Sequence, residues 1–343
     1  MSYAGFHFAD GIFQCRIKIF RGVNEMTDFS FHLQRFFLSV AVLLTASLSR
    51  AETSTKLALN WKPEPQFGGF YAAQAGEHFK KNGLDVSILV GGAGTPVVQM
   101  VAAGKADFGI VSADEVVMNR SHGGDVVALF AAFQTNPQGI MTHEALGYKS
   151  IGDVFKSPGL LAIQKGLPYA MYLMHKFDNY KVKIVPYLGG VASFYGDKSY
   201  SQQCFVTSEP LTVKRGGEKT KTFLVADEGY NPYTTVLVTR GETLKRNRQL
   251  VKSMVAAVRA GWRDYLDHPE AANKLMADLN KSMTPETFSE SADVQKPLIE
   301  TSETQKNGLG SMTFERWKSL THQLYDLKVI DKQPEAVDMF VNL

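Results

Sequence analysis

The sequence predicts an α/β protein of two lobes, each a largely parallel sheet flanked by helices, with a helical C-terminal layer. Three observations carry that expectation. Strand and helix patterns alternate from Lys56 to Phe133, the alternation resumes from Leu160 to Thr207, and beyond Gly241 the apolar residues fall at helical spacing. About 290 residues follow Ala51, and chains of that length commonly divide into two lobes.

Taken in order, Lys56 to Trp61 reads as a strand, Phe67 to Lys81 as a helix stopped at Gly83, and Leu84 to Val90 as an alternating strand. Thr95 to Ala103 is expected as a helix, Ala106 to Val111 as a strand, Asp114 to Ser121 as a helix and Asp125 to Phe133 as a strand. A loop around His143 to Lys149 then leads into the second series. It comprises strands at Leu160 to Gln164, Lys183 to Tyr187 and Gln203 to Thr207, with helices at Tyr169 to Phe177 and Val191 to Tyr200. Thr222 to Ala226 and Thr235 to Thr239 are expected to return toward the first lobe. Amphipathic stretches through Trp262, Leu275, Phe288 and Trp317 complete the helical layer. The expected division places 52–142 and 234–343 in lobe I and 143–233 in lobe II, with hinges near Ile140 to Glu144 and Tyr230 to Thr235.

Met26 to Ala51 has the order of a secretory signal: Arg35, the apolar run Phe36 to Ala46, then small and polar residues ending SLSRA. A buried helix or an uncleaved anchor is the alternative. Residues 1–25 do not fit a signal, so they are expected to be an extension upstream of a start at Met26. Cleavage after Ala51 would remove five of the 37 Lys and Arg and three of the 34 Asp and Glu, leaving a balance of +1. That balance gives no electrostatic case for nucleic acid or a membrane surface. Cys15 precedes the signal, so Cys204 would stand alone without an intrachain disulfide. No stretch after Ala51 is long and apolar enough to span a bilayer. The expected product is a periplasmic monomer.

The ends of the first strands carry the candidate chemistry. LNWKPEPQFGGFYAAQ from Leu59, GIVSADE ending at Glu115 and FQTNPQGI from Phe133 each join a short apolar strand to polar, Gly or aromatic residues, where open α/β sheets bind ligands. Trp61 and Tyr71 can sandwich a flat ring. Asp114, Glu115 and Glu209 can accept hydrogen bonds from a ring amine, and Asn60 and Gln138 can donate and accept. Simpler roles stand beside these. Trp61 can plug the core, Tyr71 can be the buried face of its helix, and one of Asp114 and Glu115 can serve only as a helix cap. Glu209 can simply close a strand in solvent, and Tyr233 is as open to hinge packing as to a ligand contact.

Catalytic and cofactor signatures are weak. GGAGTP from Gly91 fits neither G-x-G-x-x-G nor a Walker loop and reads better as a tight turn. His78, His122 and His143 lack metal-ligand spacing, and no G-x-S-x-G elbow occurs. No catalytic residue, metal or cofactor is expected.

These residues resemble a known family. LNWKPEPQFGGFYAAQAGEHFKKNGLDVSI, GKADFGIVSADEV and NPQGIM are similar to the periplasmic binding proteins that feed ABC importers and are related to the thiamine-pyrimidine synthase. Asn60, Trp61, Pro63, Gly69, Phe70, Tyr71, Ser112, Asp114 and Glu115 match the pattern of the pyrimidine-binding members in order. The pair Glu209 and Pro210 and the run DEGYNPY at Asp227 to Tyr233 extend it. The resemblance implies the two-lobed type II binding-protein fold, capture of a thiamine pyrimidine precursor or related ring, and ABC permease and ATPase partners. It leaves sulfonates or riboflavin, a synthase-like enzyme and a signalling sensor as alternatives. One departure is visible: the family's Asn-x-x-His after the Trp is replaced by KPEPQFGG, with Glu64 and Gln66 and no His.

Overall fold

The computed structural model describes residues 52–343; the signal and extension read before them lie outside the described residues. The strands are β1 (Thr53–Ala58), β2 (Leu84–Leu89), β3 (Phe108–Val111), β4 (Val126–Phe133), β5 (Gln138–His143), β6 (Leu160–Ala162), β7 (Lys183–Val185), β8 (Tyr200–Phe205), β9 (Thr220–Leu224) and β10 (Thr234–Arg240). The first eight helices are α1 (Gly68–Ala75), α2 (His78–Lys81), α3 (Val97–Ala102), α4 (Ala113–Ser121), α5 (Ile151–Lys156), α6 (Pro168–Lys176), α7 (Ala192–Gly196) and α8 (Glu209–Arg215). After β10 follow α9 (Gly241–Arg246), α10 (Arg248–Asp267), α11 (Glu270–Leu279), α12 (Pro285–Ile299), α13 (Ser302–Asn307) and α14 (Phe314–Asp326).

Two five-stranded sheets result, ordered β2-β1-β3-β10-β4 and β7-β6-β8-β5-β9. In the first, β10 alone runs against its neighbours; in the second, β5 does. The two-lobed, largely parallel α/β expectation therefore holds. Successive strand residues point to opposite faces, which sorts the core. Leu57, Ile110, Leu129 and Leu237 pack with Phe70 of α1 and Trp262 of α10. Ala58, Val111, Ala128 and Val236 pack on the other side with Val116 of α4 and Trp317 of α14.

Close helix contact explains the paired glycines of the QFGGFY run. A Cβ at Gly68 would lie 2.1 Å from the Tyr265 ring, and one at Gly69 would lie 2.2 Å from the Trp262 ring. The approach is mutual, since a Cβ at Gly261 of α10 would meet the Gly69 carbonyl oxygen at 2.3 Å. Only hydrogen side chains let α1 and α10 come this near.

Four expectations need correction. The helix read over Phe67 to Lys81 is split, because Glu77 takes a left-handed φ of 57° between α1 and α2. The segment Ile140 to Glu144 is not a hinge: β5 runs through it, bonded to β8 on one side and β9 on the other. The chain leaves the first sheet earlier, between Phe133 and Gln138. Thr222 to Ala226 does not return, since β9 pairs with β5 in the second sheet and only β10 goes back. Tyr200, read as the end of a helix, begins β8 instead, and α7 stops at Gly196.

The two connections between the sheets are stitched to each other. Asn136 donates its backbone N–H to Asn231 Oδ1 at 2.8 Å and its side-chain amide to the Pro232 carbonyl at 3.2 Å. Beside them Thr235 carries a φ of 52°, a conformation costly for a β-branched residue. No helix among the described residues is long and apolar enough to cross a membrane.

Candidate functional site

β1 ends at Ala58, and the chain turns out of the sheet through Asn60 and Trp61. Asn60 is half-buried and the Trp61 ring is 37% exposed, the most open large aromatic on this edge. Its indole Nε1 donates to Glu64 Oε1 at 3.2 Å, and Gln66 donates to Glu64 Oε2 at 3.2 Å. Glu64 itself is buried, and loss of water pushes its carboxyl above the usual range, opposed by those bonds and by Lys62. The KPEPQ loop thus holds an aromatic platform through a buried acid.

At the end of β3 the acidic pair divides its work. Glu115 Oε2 accepts from both the backbone N–H and the hydroxyl of Ser112, at 2.8 and 2.9 Å, so this carboxylate caps α4. Asp114 is buried; its Oδ2 accepts from the Tyr230 hydroxyl at 3.4 Å, while Oδ1 has no partner. Burial raises the Asp114 carboxyl, and hydrogen bonds to it only partly offset the shift. An unpaired buried carboxylate oxygen is costly unless something completes it.

On the second sheet Glu209 opens α8 directly after β8. Tyr187 donates its hydroxyl to Glu209 Oε1 at 2.9 Å, and the Phe205 backbone N–H donates to Oε2 at 2.8 Å. Desolvation again raises the carboxyl, and the charge of Glu64 raises it further. Gln138 lies at the start of β5, where its amide donates to the Cys204 carbonyl at 3.2 Å. Cys204 is a buried free thiol. Nearby Gln203 accepts from Tyr169 at 2.6 Å and donates to Gln164 at 2.8 Å.

The structure does not bring together all the residues expected from sequence. Tyr71 is enclosed in the core under α1, so its ring is not the free partner of Trp61; its hydroxyl is buried without a partner and pushed up to about 12 by desolvation. Tyr233, directly before β10, is buried. Its hydroxyl accepts from the Thr313 backbone N–H at 2.9 Å, and the Arg316 guanidinium lies 3.9 Å above its ring. It is packing at the C-terminal layer, the simpler of the two roles open to it. Sequence reasoning missed Glu64, Tyr187 and Tyr230 as part of the arrangement. Glu64 had a signal, being a carboxylate three residues from a Trp in a Pro-rich loop; Tyr187 and Tyr230 had none, because tertiary folding alone carries them to Glu209 and Asp114.

Two open grooves of about 580 and 610 Å³ lie elsewhere, one between α10 and Glu300–Leu309, the other between Arg120–Gly123 and Asp331–Pro334. Neither touches these carboxylates. Among the described residues no group of three His, Cys, Asp or Glu side chains could hold a metal ion.

Acid burial has a measurable consequence. Glu64, Asp114, Glu115 and Glu209 bind a proton more tightly folded than unfolded. Their contribution to stability is therefore full below the unfolded carboxylate pKa and is lost as pH rises through the raised folded values. Exposed acids such as Asp267 and Glu290 are shifted down by Arg263 and Lys214 and act only at lower pH. Melting of the ligand-free protein is expected to be higher near pH 5 than near pH 7, a trend that a scanning-fluorimetry series checks.

Comparison with known proteins agrees with this architecture. The sequence model of the family described as NMT1/THI5 like matches residues 64–272. The formylaminopyrimidine-binding protein of Halalkalibacterium halodurans is 21% identical over 320 residues, covering 90% of this chain and 95% of that protein. The periplasmic aliphatic sulphonate binding protein SsuA of Escherichia coli superposes with a TM-score of 0.65 at 11% identity, covering 84% of this chain and 93% of that one. The alkanesulfonate-binding SsuA of Xanthomonas axonopodis pv. citri, bound to MOPS, gives 0.62 at 10% identity over 85% of this chain and 100% of its own. These structures share the periplasmic-binding-protein fold with it. With the match spanning most of its length, the chain belongs to the NMT1/THI5-like family.

Proposed function

We propose that this chain is an extracytoplasmic substrate-binding protein that captures a small aminopyrimidine-type ring between its lobes and delivers it to an ABC permease and its ATPase. The observation that carries the ligand class is Asp114 Oδ1, a buried acceptor without a donor at the end of β3. An N–H of the ligand completes it. Trp61 supplies the stacking face, and stacked aromatics contribute about 0.5–1.5 kcal/mol beyond area burial. Asn60 adds polar contacts from the first lobe, and Gln138 and Glu209 add them from the second. The formylaminopyrimidine-binding relative supports the same class.

Ligand contacts from both lobes favour a closed state, which the permease reads. The flexing points are Gln134–Pro137 and Tyr230–Thr235. Export by the Met26–Ala51 leader places the protein in the periplasm as a monomer, with 1–25 an upstream extension. Catalysis has no part in this reading, and Lys62 serves as a rim residue bonded to Ser282 at 3.2 Å.

Sulfonate capture is the second reading, favoured by the solved structures of the same fold. Native mass spectrometry of protein from its own periplasmic fraction, followed by thermal-shift titration with aminopyrimidines, flavins and sulfonates, tests the proposal. A retained aminopyrimidine or a saturable rise in melting temperature with one supports it. A rise with sulfonates alone, or a protein confined to the cytosol, overturns it.

A further inference from the structure

Tyr230 lies on the connection that returns from β9 in the second sheet to β10 in the first, and the two halves of that connection are held by different lobes. Upstream, helix α6, which joins β6 to β7 of the second sheet, grips Glu228. Tyr172 donates its hydroxyl to the Glu228 carbonyl at 2.8 Å, and Lys176 donates to the same carbonyl at 2.7 Å and to the Glu228 carboxylate at 2.6 Å. Gly229 lets the helix come this close, since its φ is 100° and a Cβ there would lie 2.8 Å from the Tyr172 hydroxyl oxygen. Downstream, the first lobe takes over. Arg316 of α14 donates to the Asn231 carbonyl at 2.9 Å, and Ala113, the first residue of α4, donates its backbone N–H to the Tyr233 carbonyl at 3.0 Å.

Tyr230 therefore stands where one grip gives way to the other, and its side chain spans the change. The buried ring packs against Tyr172, with centroids 5.2 Å and planes 33° apart, while the hydroxyl donates to Oδ2 of Asp114 at 3.4 Å. The other groups facing Asp114 belong to its own turn: the Ser112 hydroxyl, the backbone N–H groups of Asp114 and Glu115, and the Glu115 carboxylate that caps α4. Among the described residues no Lys, Arg or His lies within 4.0 Å of it. The phenol is thus the one donor from outside residues 112–115, and its ring rests on the other lobe. A bond to one carboxylate oxygen limits rotation of the group and so fixes where the second oxygen, the unpartnered Oδ1, points. It also favours the charged form.

Building on the reading that Asp114 meets a ring amine, we propose that Tyr230 is the positioning residue of that carboxylate and that Tyr172 of the other lobe acts through it. The phenol turns Asp114 so that Oδ1 is presented to the ligand, and its seat on α6 makes that presentation depend on how the lobes stand to each other. Movement of α6 relative to the first sheet carries the phenol toward or away from Oδ2. A ligand held by Asp114 then has different affinities for the two arrangements, which is what ligand-driven closure requires.

Isothermal titration calorimetry over a pH series tests this with the aminopyrimidine half of thiamine, in its hydroxymethyl and formylaminomethyl forms, on the unmodified protein, Tyr230→Phe, Tyr172→Phe and the double variant. Tyr230→Phe, which removes one oxygen, should weaken binding about fivefold or more at neutral pH. Affinity falls as pH drops and Asp114 takes a proton, and without the phenol that fall should begin at higher pH. The ligand's own titration is common to all four proteins. Tyr172→Phe keeps the ring but releases Glu228; it should weaken binding about two- to fivefold alone and less than about 1.5-fold when residue 230 is already Phe, because its effect passes through the Tyr230 hydroxyl. A merely structural role would lower the melting temperature and leave the pH profile in place. Unchanged affinity and pH profile in Tyr230→Phe overturn the positioning role and leave the aminopyrimidine reading standing. Equal losses from Tyr172→Phe in both backgrounds overturn the link between the lobes. If the unmodified protein binds neither form, the reading and the proposal fall together.

Discussion

Replacing Asp114 with Asn is expected to weaken aminopyrimidine binding about 100-fold and, in the same protein, to raise the melting temperature of the ligand-free form. Both effects come from one atom. Oδ1 of Asp114 is buried without a donor in hydrogen-bond range, and burial raises the carboxyl even though Ser112, nearby backbone N–H groups and Tyr230 favour its charged form. Asparagine still offers Tyr230 an acceptor and removes the charge, which relieves about 1–2 kcal/mol of desolvation penalty. A ligand N–H then meets a neutral amide, or the amide's own N–H₂, and a charge-assisted bond is lost. Calorimetry and thermal melting on the same preparation measure the two changes together. A substitution that lowers stability and leaves affinity unchanged would mean that Asp114 is only a structural partner of Tyr230. Such opposed changes mark sites where binding groups are held at a cost to the fold.

The second large effect is predicted far from any ligand. Gly261→Ala is expected to destabilise the protein by about 1–3 kcal/mol, lowering the melting temperature by several degrees with little change in ligand affinity. Its new methyl would lie 2.3 Å from the Gly69 carbonyl oxygen and 2.5 Å from Ala73 Cβ, and neither neighbour is a flexible side-chain tip. Relief requires α10 to back away from α1, which opens the packing of Phe70 against Trp262, whose rings now meet edge to face at 5.9 Å. Gly69→Ala strikes the same interface from the other side, 2.2 Å from the Trp262 ring. Because Gly69 and Gly261 share one contact, the double substitution should cost less than the sum of the singles. A double-mutant cycle by thermal or urea unfolding checks that non-additivity.

Periodicity made most of the fold legible. The strands at Leu84, Phe108 and Val126 and the helices at Ala113 and Pro168 lie within a few residues of their expected places. Where local and tertiary signals disagreed, the reading failed for identifiable reasons. β5 was hidden because its sequence QGIMTH follows Asn136 and Pro137 and contains Gly139, all turn signals, yet both of its edges are paired in the middle of a sheet. Helix α5 was missed as a six-residue element; its Ser150 cap, which accepts from the Asp153 backbone N–H at 3.1 Å, was the available sign. The break between α1 and α2 rests on one left-handed Glu77, which periodicity cannot register.

Within the candidate site, residue type was easier to read than role. The sequence marked Asp114 and Glu115 as a pair of which one could be a cap, and the hydrogen bonds to Ser112 assign that part to Glu115. The QFGGFY run suggested an aromatic partner for Trp61, whereas burial commits the Tyr71 ring to the core. Glu64 was visible only as a departure from the family's usual loop. Its importance follows from the bonds it accepts from Trp61 and Gln66, contacts that no linear spacing encodes.

The most direct test of the central claim, that the cleft binds an aminopyrimidine through buried carboxylates and the Trp61 face, is a competitive calorimetric titration of the purified protein with an aminopyrimidine and with MOPS. The account predicts saturable binding of the aminopyrimidine, weakened about 10-fold or more by Trp61→Ala and more by Asp114→Asn, with no detectable displacement by the sulfonate. Tight sulfonate binding that survives Asp114→Asn, with no heat from the pyrimidine, would contradict it.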